Sequence, residues 1–258
     1  MNNFFNLQRF SRLFIRHTAE HYRPYLMSVG VLAGVLLLGG SFLFFVVSEP
    51  PDTGLQTAIF VVLLLVSGTI FASTVFSDYG DKRRAIPALT LPATTIEKFL
   101  VGWIYSYPVF LLIFSVVFYT ALYGLGNAKH WNAGQHFKIF TFPEGSVLTI
   151  LIIFSLLHAI ALYGAVFFRN LHFIRTGFSF LVGYGLILLL NTLLLSMLTG
   201  LPVVKAAMPF GYLNFMKGDH YYSIAIRGTP ALVVTIVLCV TAILLWIAAY
   251  FRLKEKQV

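Results

Sequence analysis

The chain reads as an all-α polytopic membrane protein with six transmembrane helices and both ends in the cytoplasm. Three observations predict this: too little charge for a water-facing surface, six long uncharged stretches, and a lopsided distribution of Lys and Arg. Of 258 residues, 59% are hydrophobic and only 10% charged, far from the averages of soluble domains. Lipid is the solvent that suits such a surface.

The first element expected is an interfacial helix over residues 1–23. At 100° per residue Arg9, Arg12 and Arg16 fall within about 60° of one another, with Leu7, Phe10 and Phe14 roughly opposite. A basic face against an aromatic one suits a helix lying in the cytoplasmic headgroup region. Pro24 should break it before the first span.

The spans follow where charge is absent: Tyr25–Val47, Leu55–Phe76, Phe99–Tyr123, Ser146–Phe168, Thr176–Leu198 and Pro230–Phe251. Each supplies the roughly 20 residues that cross hydrocarbon as a helix. The first reads as an uncleaved span, since no small-residue cleavage site follows it. Its Gly30 and Gly34 make a small-xxx-small pair that permits close backbone approach. Asn191 in the fifth span is suited to hydrogen bonding across helices or subunits, and His158 in the fourth to bonding a neighbouring helix.

Two connections on the far side are long. Residues 124–145 mix Lys129, His130, Trp131 and His136 with aromatic side chains, as interfaces do. Residues 199–229 are too apolar for a solvated loop and too broken by Pro and Gly to span, so a re-entrant or interfacial helical excursion is expected there.

Orientation follows from Lys and Arg in the connections. With the amino terminus inside, thirteen lie on the cytoplasmic side: Arg9, Arg12, Arg16 and Arg23, Lys82, Arg83, Arg84 and Lys98, Arg169 and Arg175, and Arg252, Lys254 and Lys256. Five lie opposite, so the positive-inside rule selects amino and carboxyl termini inside. The same scatter explains the net charge of +9 without a nucleic-acid partner, because the basic residues form no patch or stripe. The lone cysteine, Cys239, lies within the last span and allows no intrachain disulfide.

The most informative stretch is the inside loop over residues 77–98. Thr94 and Glu97 have capping-box spacing, so a helix should start there. Pro87 and Pro92 keep the preceding chain out of it, and the helix should lead straight into the third span.

The run Leu91–Pro92–Ala93–Thr94–Thr95–Ile96–Glu97–Lys98–Phe99–Leu100 resembles the "LPA[ST]xxEKfl" segment that follows the second span in bacterial ABC-2 type transporter permeases. The six-span layout, basic amino-terminal helix and apolar excursion before the last span are similar as well. The resemblance implies a multi-pass protein of the bacterial cytoplasmic membrane, working as an exporter with a second permease copy or a paralogue. It implies a separate ABC ATPase subunit docked on the loop between spans two and three. Carried over, Pro92, Thr94, Glu97 and Lys98 belong at or near that contact, with Asp81, Lys82, Arg83 and Arg84 adjacent. Gly30, Gly34 and Asn191 become dimer-interface candidates.

Absences agree with a subunit that borrows its energy. There is no Gly-x4-Gly-Lys-Ser/Thr phosphate loop and no His-Glu-x-x-His pair. No span holds Asp, Glu, Lys or Arg, so acid/base catalysis and ion-coupled transport at the midplane lack their groups. No enzymatic activity, cofactor or metal is expected, and His17, His21, His130, His136 and His220 form no ligand spacing. Membrane lipids are the remaining expected partners. The competing readings are a membrane-bound enzyme acting on lipid or peptide and a non-transporting scaffold or sensor.

Overall fold

A computed structural model describes residues 5–46, 49–80, 93–129, 131, 136–142, 146–168, 171–200, 209, 213–217, 220–224 and 229–256. Among the described residues six helices are long and apolar enough to cross a membrane: α1 (Leu7–Val46), α2 (Thr53–Gly80), α3 (Thr95–Ala128), α4 (Ser146–Phe167), α5 (His172–Thr199) and α6 (Thr229–Glu255). The chain is an all-α multi-pass membrane protein, with one small antiparallel hairpin, β1 (Leu213–Lys217) and β2 (His220–Ile224).

Two expectations are corrected. The break expected at Pro24 is absent: α1 runs for 40 residues straight through it. Contacts on both sides hold the helix across the missing amide. His17 Nε2 meets Tyr25 Oη at 2.7 Å, the His17 and His21 rings stack, and Tyr25 packs on Phe71 and Tyr105. Part of the aromatic face meets another helix, with Phe14 stacked on Tyr105 of α3 at 4.8 Å.

The second correction concerns residues 199–229, where the described part is a β-hairpin and not a helical excursion. Leu213 pairs with Ile224 and Lys217 with His220, and Phe215 stacks on Tyr222 across the strands. The sequence carries the signal: aromatic strand residues flank Gly218–Asp219, a dipeptide that favours tight hairpins.

The bundle has two parts. α1 and α3 lie side by side and parallel, touching at the start through Arg9 and Glu97, at Thr18 and Tyr105, and at the far end where Lys129 Nζ donates to the Phe44 carbonyl at 2.6 Å. The other part is α2, α4 and α6, with α4 in the middle, and α5 leans on α4 and α2 from outside. α4 buries Phe154, His158, Leu162 and Ala165 completely.

Glycines permit the close approaches. A Cβ at Gly164 would lie 1.9 Å from Thr176 Oγ1 of α5, and one at Gly68 of α2 would lie 2.3 Å from Phe154 Cε2. Between the two parts, Phe110, Phe114 and Phe118 repeat every fourth residue on α3 and form one ladder against Phe60 and Phe154.

The helix ends sort into two layers, as an alternating bundle requires. Lys256 Nζ donates to the Tyr79 carbonyl at 2.7 Å and the Val166 carbonyl at 2.6 Å, closing the carboxyl ends of α2 and α4 with one ammonium. In the opposite layer Gln56, at the start of α2, donates to the Pro51 and Lys138 carbonyls and accepts from the Phe140 amide.

Candidate functional site

The polar centre at one end of the bundle is the junction of α1 with α3. Asn6 caps α1: its side-chain oxygen accepts from the amides of Gln8 at 2.9 Å and Arg9 at 3.4 Å. α3 begins at Thr95 with Thr94 in extended N-cap geometry, as the Thr94–Glu97 spacing predicts. The Thr94 amide donates to Glu97 Oε2 at 3.0 Å, the carboxylate half of a capping box. The Thr94 hydroxyl faces the Glu97 amide but falls short of hydrogen-bond geometry, and stays buried with no partner among the described residues.

Glu97 does more than cap its own helix. Oε1 accepts from the Asn6 amide at 2.9 Å and Arg9 Nη2 at 2.8 Å, while Oε2 accepts from Arg9 Nε at 2.7 Å as well as from Thr94. The four acceptor positions of the carboxylate are thus filled, two of them by a bidentate guanidinium. The side chain is fully buried. It lies where the amino ends of two parallel helices meet, and each helix dipole favours a negative charge at that end. One carboxylate therefore joins α1 to α3.

Of the residues the sequence nominates for docking, Thr94, Glu97 and Lys98 come together here, and Glu97 and Lys98 are buried. Their side chains face into the protein, so they shape the start of α3 without offering a surface. Asp81, Lys82, Arg83, Arg84 and Pro92 lie outside the described residues. Beside the junction is a cavity of about 380 Å³ with Arg9, Arg12 and Arg16 on its wall. Arg9 holds Glu97, and Arg16 pairs with Glu20 at 2.7 Å.

The dimer candidates lie on two helices, Gly30 and Gly34 on α1 and Asn191 on α5. Gly30 and Gly34 face open space, since a Cβ at either would meet nothing within 4 Å. Asn191 is half-buried on α5, which sits at the edge of the bundle.

A second polar cluster lies inside the bundle, at a π-helical turn in α3 over Tyr105–Val109 that contains Pro108. Trp246 Nε1 donates to His158 Nδ1 at 3.2 Å, and His158 Nε2 lies 3.0 Å from Ser106 Oγ. An indole nitrogen only donates, so Nδ1 is the bare nitrogen and Nε2–H donates to Ser106. Ser106 passes its own proton toward the Trp103 carbonyl at 3.4 Å. Next to it the Ser155 hydroxyl donates to Leu151, so Tyr107 is the donor to Ser155 at 2.6 Å. His158 is a neutral, doubly bonded pin between α3, α4 and α6, bonding neighbouring helices as its place in the fourth span suggests.

Arg9, Asn6, Tyr105, Ser106 and Trp246 escaped the reading of the sequence as site residues. Arg9 was visible only as one of a basic face, and its partner is 88 positions away. Trp246 is equally remote from His158. Among the described residues no three His, Cys, Asp or Glu side chains converge as a metal site requires. No protein-family model, no curated protein and no solved structure matches this chain.

Proposed function

We propose that this chain is the membrane subunit of an ATP-driven exporter of the ABC-2 type, powered by a separate ATPase that docks on the loop between α2 and α3. The observation that carries the reading is the way α3 starts. The segment resembling the family's motif opens a helix at Thr95 that continues for 34 residues, about 51 Å, into the third span. A push on its cytoplasmic end is carried up the helix to the π-helical turn at Tyr105–Val109, where Ser106 and Tyr107 meet His158 and Ser155 of α4. Through Glu97 the same push reaches α1.

In this reading Asp81, Lys82, Arg83, Arg84 and Pro92 supply the docking surface, while Thr94, Glu97 and Lys98 make the handle rigid. The Lys and Arg imbalance supports a cytoplasmic position for the junction. Two copies, or one copy with a paralogue, enclose the path, with Gly30, Gly34 and Asn191 available to the contact.

The test is purification of the tagged chain from its native membrane. A stoichiometric ATPase subunit should accompany it, and Arg83→Glu with Arg84→Glu should strip that subunit while leaving the permease expressed. A homogeneous preparation with no nucleotide-hydrolysing partner would reject the reading.

A further inference from the structure

Arg9, Arg12 and Arg16 stand three and four residues apart on α1, a spacing that puts them on one helix face. All three line the cavity of about 380 Å³ beside the α1–α3 junction, with Asn6, Gln8 and Ala93 on the remaining wall. Among the described residues that wall contains no Asp or Glu.

The donors of the three arginines are unequally used. A guanidinium has five N–H groups. Arg9 gives two of them to Glu97, and Arg16 gives one to Glu20. Arg12 is exposed and, among the described residues, has no carboxylate partner. The cavity therefore carries one positive charge without a counter-ion, flanked by two guanidinium groups that keep donors to spare. Three like charges around one cavity repel one another, and an anion between them removes that cost. A phosphate suits the set best, because its several acceptor oxygens match forked N–H groups.

The level of the cavity fixes where the phosphate comes from. Arg9 reaches Glu97, and two residues further on Phe99 packs in one apolar cluster with Leu162, Ala165 and Val166 of α4. These are the last turns of a helix of 22 residues, about 33 Å, which matches the hydrocarbon thickness and no more. α4 thus ends at the edge of the hydrocarbon, and the cavity lies in the adjoining headgroup layer, where lipid phosphates reside. The segment before Tyr25 holds four Arg and one Glu, a composition that draws anionic lipid to a membrane surface.

We propose that this cavity binds the phosphate of an anionic phospholipid, with Arg12 as its principal partner and Arg9 and Arg16 on either side. The site does not depend on the transporter reading. Arg9 serves both the phosphate and Glu97, so the lipid sits against the tie between α1 and α3.

The test uses the full chain in nanodiscs of phosphatidylcholine alone, of phosphatidylcholine with phosphatidylglycerol, and of phosphatidylcholine with inorganic phosphate in the buffer. In the first, choline offsets the phosphate charge. Modification of each arginine by phenylglyoxal is followed by mass spectrometry. Phosphatidylglycerol should slow the reaction of Arg12 about tenfold, the factor for a site about nine-tenths filled. Arg175, exposed at the start of α5 in the same layer, reports the general effect of surface charge and should slow by less than about twofold. Arg16→Gln removes only a surface ion pair from the fold. It should cut the protection of Arg12 to about threefold, because each basic group near the surface adds about fivefold in affinity.

Protection in the phosphatidylglycerol arm alone identifies the lipid headgroup as the ligand. Protection by inorganic phosphate as well identifies the bare phosphate as the group recognised; both results support the site. Equal slowing at Arg12 and Arg175 overturns it, as does no slowing, or protection by inorganic phosphate without any from phosphatidylglycerol. If Arg16→Gln fails to fold, the comparison of Arg12 with Arg175 in the wild type decides.

Discussion

The α1–α3 pair and the α2–α4–α6 core are built from the same apolar helices, yet they are held together differently. The pair is fastened by polar contacts on its rim, a carboxylate between two amino termini, Thr18 on Tyr105 and a lysine on a carboxyl terminus. The core is fastened along its length, by glycines that admit aromatic rings and by a buried His158 pinned from two sides. In lipid the hydrophobic effect does not distinguish helix–helix from helix–lipid contact, so only packing and polar bonds can choose neighbours.

The contrast is sharpest at Phe154, whose ring packs on Tyr107 and Phe110. Phe154→Ala should lower unfolding free energy by about 3–5 kcal/mol, read from denaturation in a bilayer mimic. A loss below about 1 kcal/mol would mean that the core is no better packed than the pair.

Gly164→Leu comes next. The added side chain meets Thr176 within bonding distance, and overpacking of this kind costs about 1–3 kcal/mol. Pairing Gly164→Ala with Thr176→Gly should relieve most of the clash seen for Gly164→Ala alone, since the Thr176 Cβ itself lies 2.7 Å from the added methyl. No recovery would place the strain elsewhere.

Trp246→Phe removes the donor to His158 Nδ1 and keeps the ring. Leaving that buried acceptor empty should cost about 1–2 kcal/mol. A double-mutant cycle with His158→Phe should return coupling between the two sites, and additive losses would disprove the bond.

The smallest global effect belongs to Glu97→Gln, which acts at one end of the pair. Hydrogen exchange over residues 7–24 should accelerate roughly tenfold while α4 keeps its protection. Equal acceleration in α4 would show that pair and core unfold as one unit and would erase the distinction.

The helices and the start of α3 were legible because their signals are local. Uncharged length marks a span, and Thr94 with Glu97 marks a helix start, whatever surrounds them. α1 escaped in part: Pro24 is a local stop signal, but rings from α2 and α3, remote in the chain, carry the helix past it. The hairpin was legible in Gly218–Asp219 and its aromatic flanks, and was obscured by the apolar composition of the longer segment. The Glu97 carboxylate was visible as a cap, whereas its tie to Arg9 and Asn6 was not, since neither residue is near it in sequence.

By itself, then, the amino-acid sequence determined the solvent, the number of helices and where the informative helix begins, because hydrophobic length and capping depend on neighbours along the chain. Tertiary structure alone decided which helices touch and which charges meet. Those outcomes depend on side chains some 80 to 90 residues apart converging in space, as Arg9 and Glu97 do, and no local pattern encodes the partner.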